Sequence, residues 1–367
     1  MRILIINHEF PPLGGGGGNA NYYIARELVK LGHEVDVVTS AFANLKSETI
    51  DGFRVHRIKT KRKKETHATA IEMLSFSKSA YAYCKKLMKQ KNYDVIQCFF
   101  TLPAGLTGYF LSKKFKKPMV IRMGGSDVPG YDPYRFGTLY KLLMPVYKKV
   151  WNHADKLIVN SQKLKDLLLK SKQMKVGIIY NGVDSSEMKP KRNSDGKTII
   201  CTSRLVKRKG IDCLLRALKD IKEFRLLLIG DGPEKTLLEQ LTKQLGIEKN
   251  VHFIGTVPHN KIINYLNKSD IFVLPSFAEG MSNALLEAIS SGLPAVITDV
   301  GGSRELVKNN GVIIEPGNEK QLKDALEKLL NSKKLRDEMS KESLIVAKKF
   351  TWENIAKEYE NLYKELI

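Results

Sequence analysis

Residues Ser276 to Glu287 read S-F-A-E-G-M-S-N-A-L-L-E. They follow Ile271 to Leu274, an apolar run short and bounded enough to be a buried parallel strand, and lead into Asn283 to Ser291, which has helical spacing. Glu279 is thereby placed on a strand-to-helix loop and Glu287 on the helix behind it. Loops of this kind lie at the carboxyl ends of strands, where open α/β sheets bind ligands. Gly280 lets the backbone approach a ligand, and the first N–H groups of the helix point outward as unpaired donors. Two carboxylates beside a row of donors suit the hydroxyls of a sugar and a ribose.

Upstream, a strand from Lys197 to Thr202 ends in Ser203-Arg-Leu-Val-Lys-Arg-Lys-Gly210, and a helix follows with Ile211, Leu214, Leu215 and Leu218 on one face. Arg204 and Lys209 bracket this second strand-to-helix loop. Arginine offers phosphate oxygens a planar fork, and lysine adds a point charge beside it. Strands Arg225 to Ile229, Val251 to Ile254 and Leu293 to Thr298 complete a parallel sheet, each closed by glycines. From Asn318 onward the chain is helical, and Thr351 can cap a last amphipathic helix, Trp352 to Leu366.

The first half repeats the rhythm. Arg2 to Asn7 reads as a buried strand, Gly14 to Gly18 as a loop and Asn19 to Leu31 as a helix, an arrangement that builds an anion site from backbone N–H groups. Gly15-x-Gly17-x-x-Ala20 satisfies the dinucleotide fingerprint, but the second strand, Val35 to Thr39, ends in Thr39-Ser40 without the acidic residue that a nicotinamide dinucleotide needs. Strands at Phe53 to Ile58, Asp94 to Phe99, Met119 to Arg122, Lys156 to Asn160 and Val176 to Tyr180 alternate with helices at Thr69 to Lys89, Ala104 to Lys113 and Arg135 to Trp151. This is the pattern of a parallel sheet covered on both faces. Arg122-Met-Gly-Gly-Ser-Asp127 ends one of these strands, where Asp127 either orients a ligand hydroxyl or caps the loop. The polar stretch Lys189 to Gly196 is a linker.

The Glu-x7-Glu stretch, with Ser203-Arg-Leu-Val-Lys-Arg-Lys-Gly210, resembles retaining glycosyltransferase family 4, and the resemblance runs through nearly the whole chain. It implies an α/β fold of two Rossmann-like doubly wound parallel-sheet domains facing across a cleft, the GT-B type. The acceptor-side domain is expected over 1–185, the nucleotide-sugar domain over 186–351, and the helix 352–367 packing back on the first. It further implies that Arg204 and Lys209 bind the donor diphosphate and that Glu279 holds donor-sugar hydroxyls. Glu287 takes the ribose, backbone near Ile254 reads the base, and Gly280, Met281, Ser282 and Asn283 line the donor. The glycine loop, with Gly16 and Gly17, faces the diphosphate. Asn181-Gly182-Val183-Asp184 corresponds to the hinge. Residues 124–127 resemble the family's His-Gly-x-Asp loop, but Gly124 stands at the histidine position, so only a backbone carbonyl is available there.

At 367 residues two domains are the default, and an apolar fraction of 43% is ordinary for a globular protein. Cys84, Cys98, Cys201 and Cys213 have no paired spacing and are expected as reduced core residues of a cytoplasmic protein. No stretch is apolar enough to span a membrane. The seven histidines form no ladder and no Asp-x-Asp occurs, so no metal or other cofactor is expected.

Of the net charge of +22, residues 1–185 hold 31 Lys+Arg against 14 Asp+Glu, and 186–367 hold 30 against 25. A basic first half suits an anionic membrane surface, an anionic substrate or nucleic acid, or is a solubility bias. Nucleic acid is disfavoured because Lys59 to Lys64 carries neither stacking aromatics nor a recognition helix. The helix after that run sets Lys85, Lys86 and Lys89 opposite Met73, Leu74, Phe76 and Leu87, and Arg135 to Trp151 mixes leucines with Lys141, Lys148 and Lys149. Both suit an anionic bilayer, and helices that merely flank an α/β sheet look similar. The expected partners are a nucleotide sugar and a sugar or lipid-linked acceptor, with peripheral attachment to the inner face of a membrane. A sugar-nucleotide epimerase, which needs no acceptor, shares this architecture.

Overall fold

The computed structural model describes residues 1–65, 68–132, 137–184 and 195–367, with backbone alone for 137–141. The chain forms two compact units, Met1–Asn181 with Trp352–Ile367, and Gly182–Thr351. The sequence sets the first division at 185/186, and most of its polar linker lies outside the described residues.

The first unit is built on strands β1 (Arg2–Ile6), β2 (Glu34–Ser40), β3 (Glu48–Ile50), β4 (Phe53–Ile58), β5 (Val95–Phe99), β6 (Met119–Met123), β7 (Lys156–Val159) and β8 (Gly177–Ile178). Their order is β3-β4-β2-β1-β5-β6-β7-β8, parallel except for β3. β1 explains why the sheet is covered twice. Ile3 and Ile5 join a cluster with helices α1 (Gly16–Lys30) and Trp352–Lys364, whereas Leu4 and Ile6 join the opposite cluster with α2 (Ala70–Gln90), α3 (Leu106–Phe115), α4 (Gly137–His153) and α5 (Gln162–Ser171). A four-residue apolar run with no polar face has no other way to avoid water.

The second unit carries β9 (Thr198–Thr202), β10 (Arg225–Ile229), β11 (Val251–Gly255), β12 (Ile271–Leu274), β13 (Ala295–Thr298) and β14 (Gly311–Ile314) in the order β11-β10-β9-β12-β13-β14. All pairs are parallel. Helices α6 (Ile211–Leu218), α7 (Lys235–Gln244), α8 (His259–Leu266), α9 (Asn283–Ser290), α10 (Ser303–Leu306), α11 (Glu319–Leu330) and α12 (Lys333–Ala347) complete it. The last helix, α13 (Trp352–Lys364), belongs to the first unit: Trp352 stacks on Tyr23 with centroids 5.3 Å apart, and Tyr363 donates to Gln97 Oε1 at 2.9 Å.

Several local expectations change. β3 is a short antiparallel strand that the sequence does not announce, and α7, α8 and β14 are likewise additions. The strand expected over Val176 to Tyr180 shrinks to β8. Before α3 the chain makes a π-helical turn, Phe100–Gly105, interrupted at Leu102. On α2 the buried stripe is Phe76, Ala80, Cys84 and Met88, so Phe76 belongs to the core rather than to an outer apolar face. On this helix Ile71, 68% exposed, and Leu74, 65%, are the aliphatic residues left most outside, with Tyr83 at 37%. Arg62 is also no surface cation. It is 8% exposed and donates to the carbonyls of Lys64 and Glu65, both at 2.8 Å, while Lys61, Lys63 and Lys64 are exposed. Cys213 is half-buried rather than in the core.

Candidate active site

In an open parallel sheet the crevice forms where neighbouring strands send their connections in opposite directions. In the second unit that point lies between β9 and β12. The two following loops are knitted together there. Phe277 N–H donates to the Arg208 carbonyl at 2.8 Å, and Arg208 Nη1 donates to the Ala278 carbonyl at 3.3 Å. Gly210 has φ +63°, and a Cβ there would lie 2.2 Å from the Pro275 carbonyl oxygen, so only glycine permits the approach. The loop after β13 joins them, with Gly302 N–H donating to the Gly280 carbonyl at 2.6 Å.

This knitting brings the two expected charges together. Lys209 Nζ pairs with Glu279 Oε1, each side chain 12% exposed, and Ser276 Oγ donates to the same oxygen at 2.7 Å. Burial pushes the Glu279 carboxyl up, but the Lys209 charge and hydrogen bond, with Ser276 and Arg208, outweigh it and hold it below the usual carboxylate range. A small pocket lined by Glu279, Ser282, Thr298, Gly302 and Ser303 opens beside it. Arg204 is exposed on the β9 loop, whose backbone is anchored to β10 by Ser203 N–H to the Ile229 carbonyl and Leu205 N–H to the Asp231 carbonyl, both 2.9 Å.

The start of α9 is less open than the sequence suggests. Ser282 is its N-cap, its hydroxyl accepting from Leu285 N–H at 3.2 Å. Met281 is 5% exposed, and Asn283 opens the helix. Glu287 lies in the second turn with its carboxylate 3.0 Å from His259 Nε2. Ile254 is on the edge strand β11, 36% exposed. Two residues here escape the sequence. Arg208 is hidden in a Lys-Arg-Lys run, and His259 lies 28 residues from its partner.

The first unit's corresponding point lies between β1 and β5. Gly16 and Gly17 form the first turn of α1, and a Cβ on Gly17 would meet the Phe100 ring at 2.5 Å. The fingerprint glycine at 17 thus answers to a ring. Phe100 has φ +71°, a strained conformation for a bulky residue, and its ring meets His8 edge-on at 5.3 Å. Burial, then the nearby Arg62 charge, push His8 down to about 3, so it stays neutral. Asp127 accepts from the backbone N–H groups of Thr101 and Gly124, both at 3.2 Å, and of Gly125 at 3.3 Å. These bonds make it a cap of its loop. Burial pushes it up to about 6 against those bonds. The Gly124 carbonyl accepts from Asn160 Nδ2 at 3.4 Å. Among the described residues no group of three His, Cys, Asp or Glu is gathered as a metal site, and no helix is long and apolar enough to cross a membrane.

Two Rossmann-like units with these loops at their strand ends have the GT-B architecture. The profile of Glycosyltransferase Family 4 matches residues 14–187, and that of Glycosyl transferases group 1 matches residues 184–344. The chain belongs to the family 4 glycosyltransferases of GT-B type. It is 28% identical to an uncharacterised glycosyltransferase of Methanocaldococcus jannaschii, over 99% of this chain and 98% of that protein. Sucrose-phosphate synthase from Thermosynechococcus elongatus superposes with a TM-score of 0.89 at 21% identity, covering 100% and 99% of the two chains. Anabaena HepE, solved in complex with UDP-glucose, superposes at 0.79 and 20%, covering 100% of both.

Proposed function

We propose that this glycosyltransferase moves a hexosyl or related sugar from a nucleoside diphosphate donor to an acceptor, retains the anomeric configuration and needs no metal ion. The observation that carries this reading is the Lys209–Glu279 pair on knitted loops at the second unit's strand ends. The UDP-glucose held by Anabaena HepE supports the donor class. The second domain, 186–351, serves as donor side and the first, 1–185 with 352–367, as acceptor side.

The reaction is a problem of charge. As the bond to the anomeric carbon breaks, the diphosphate gathers negative charge and the sugar becomes oxocarbenium-like. Arg204, Lys209 and the N–H groups around Gly280 oppose the first, each preorganised donor contributing about 3 to 4 kcal/mol. Glu279, kept ionised by Lys209, accepts from sugar hydroxyls, and Glu287 from the ribose. The acceptor then attacks from the face the phosphate leaves. A panel of nucleotide sugars tests this. One should raise the Tm, by about 2.7 kcal/mol of stabilisation at a hundred times its Kd, and be turned over with retention in EDTA. An inverted product, a strict metal requirement or no protection by any donor overturns the corresponding part.

The acceptor side works at the inner face of an anionic membrane on a sugar or lipid-linked acceptor, in surface polysaccharide, glycolipid or glycan synthesis. Exposed Lys61, Lys63 and Lys64 precede Ile71 and Leu74, so cations and apolar groups share one short stretch. Each cation is worth about 1 kcal/mol near an anionic leaflet, and each buried isoleucine or leucine about 1.5 to 3 kcal/mol. The protein should sediment with anionic but not neutral vesicles at low salt. Replacing the three lysines and both apolar residues by serine, with Arg62 left in place, should release it without changing donor hydrolysis. Equal recovery with both vesicle types removes the membrane from the reading.

A further inference from the structure

His259 opens α8, just beyond β11, and Glu287 projects from α9 behind β12. The helices come from different parts of the sheet, and the contact between His259 Nε2 and Glu287 Oε1, at 3.0 Å, joins them. A carboxylate only accepts, so the contact places hydrogen on Nε2. The Glu287 side chain is 12% exposed and that of His259 38%, so solvent competes weakly at the carboxylate end. His259 is the one side chain hydrogen-bonded to this carboxylate among the described residues.

We infer that His259 is a positioning residue which, by fixing the Glu287 carboxylate, sets a preference for ribonucleotide over 2′-deoxyribonucleotide donors. The inference rests on the reading above that Glu287 takes the ribose. A glutamate side chain has three torsions, and neighbouring ribose hydroxyls are best held by a carboxylate whose plane is already set. With Oε1 occupied by His259, the remaining acceptor positions, chiefly on Oε2, are left for the hydroxyls. The imidazole also ties that carboxylate to the segment following Ile254, which by the same reading lies against the base. Base and ribose recognition are thereby made parts of one surface.

The test measures Kd for whichever of UDP, GDP and ADP binds most tightly, and for its 2′-deoxy counterpart. Wild type, Glu287→Ala, His259→Ala and His259→Gln are compared, after their ligand-free Tm values have been matched to within a few degrees. Hydrogen bonds to a charged group are worth tenfold or more in affinity, so wild type should prefer the ribonucleotide by about tenfold or more. Glu287→Ala should bring that ratio near one. His259→Ala should cut the ratio at least about threefold with little change in deoxynucleotide affinity, and His259→Gln, whose amide nitrogen still donates, should restore it. If Glu287→Ala keeps the wild-type ratio, the ribose reading fails and the inference falls with it. If Glu287→Ala abolishes the ratio but His259→Ala leaves it intact, or weakens both nucleotides equally, the ribose reading stands and the role of His259 alone is overturned.

Discussion

Lys209→Ala is expected to lower kcat by about a hundredfold to a thousandfold, because in the mechanism we propose it removes a preorganised cation facing charge that grows only in the transition state. The loss should appear equally in kcat/KM. The same ammonium is the counter-charge of Glu279, so the variant also leaves a carboxylate in a mostly buried place without its cation. Burial then acts on Glu279 with less opposition, and its carboxyl should move up. A pH–rate profile measured on the residual activity should therefore show an acidic limb displaced to higher pH. Near-normal kcat with only a raised KM would assign Lys209 to ground-state binding and remove it from the chemistry.

The second large effect lies away from the site. Asp36 on β2 is 3% exposed and accepts from His56 Nε2 at 2.8 Å, Lys91 Nζ at 2.5 Å and Tyr93 OH at 2.7 Å. Asp36→Asn should cost about 3 to 5 kcal/mol, the range for removing one member of a buried ionic network and leaving the others unmatched. Glu34→Gln, which touches the same Lys91 from a side chain 54% exposed, should cost less than about 1 kcal/mol. Both tryptophans, Trp151 and Trp352, lie in this unit, so their fluorescence follows its unfolding. Burial pushes the Asp36 carboxyl up, but its three hydrogen bonds outweigh that and hold it well below the usual range. Its share of stability is thus present above the unfolded value near pH 3.9 and is lost as pH falls through the lower folded value. The wild type should weaken more steeply than Asp36→Asn below about pH 4. Parallel acid curves for the two, or a cost no larger than that of Glu34→Gln, would show that the network contributes little.

What the sequence reveals and what it hides divide along a physical line. Short apolar runs such as Ile3 to Ile6 and Ile271 to Leu274 have one stable use, as strands covered on both faces, so the order of elements is legible. The Glu279 and Lys209 loops are legible because each follows such a strand directly. Arg62 reads as one more cation in a basic run, since nothing in its neighbours announces that carbonyls of Lys64 and Glu65 fold around it. Asp36 finds Lys91 across 55 residues and Glu287 finds His259 across 28, pairings that only the folded sheet creates. Phe100 takes a positive φ that its residue type does not advertise, and its ring in turn dictates Gly17. β3, three residues long, is held by its partner β4 more than by its own composition.

The placement of α13 has a consequence for biosynthesis. Residues Gly182–Thr351 are made between the two parts of the first unit. Trp352, Ile355, Ala356, Tyr359 and Tyr363 belong to the cluster that covers one face of its sheet, and Tyr359 and Tyr363 are fully buried there. At roughly 5 to 20 residues per second, a ribosome takes on the order of ten seconds or more to cross the intervening stretch. Throughout that interval Ile3, Ile5, Val95 and Ile158 have α1 in their cluster but lack the residues that α13 adds to it, and by its end the second unit has all of its described strands and helices. The second unit of this enzyme can be finished before the unit that precedes it in the message, and the nascent first unit must wait, with one face of its sheet only partly covered, for α13 to be translated.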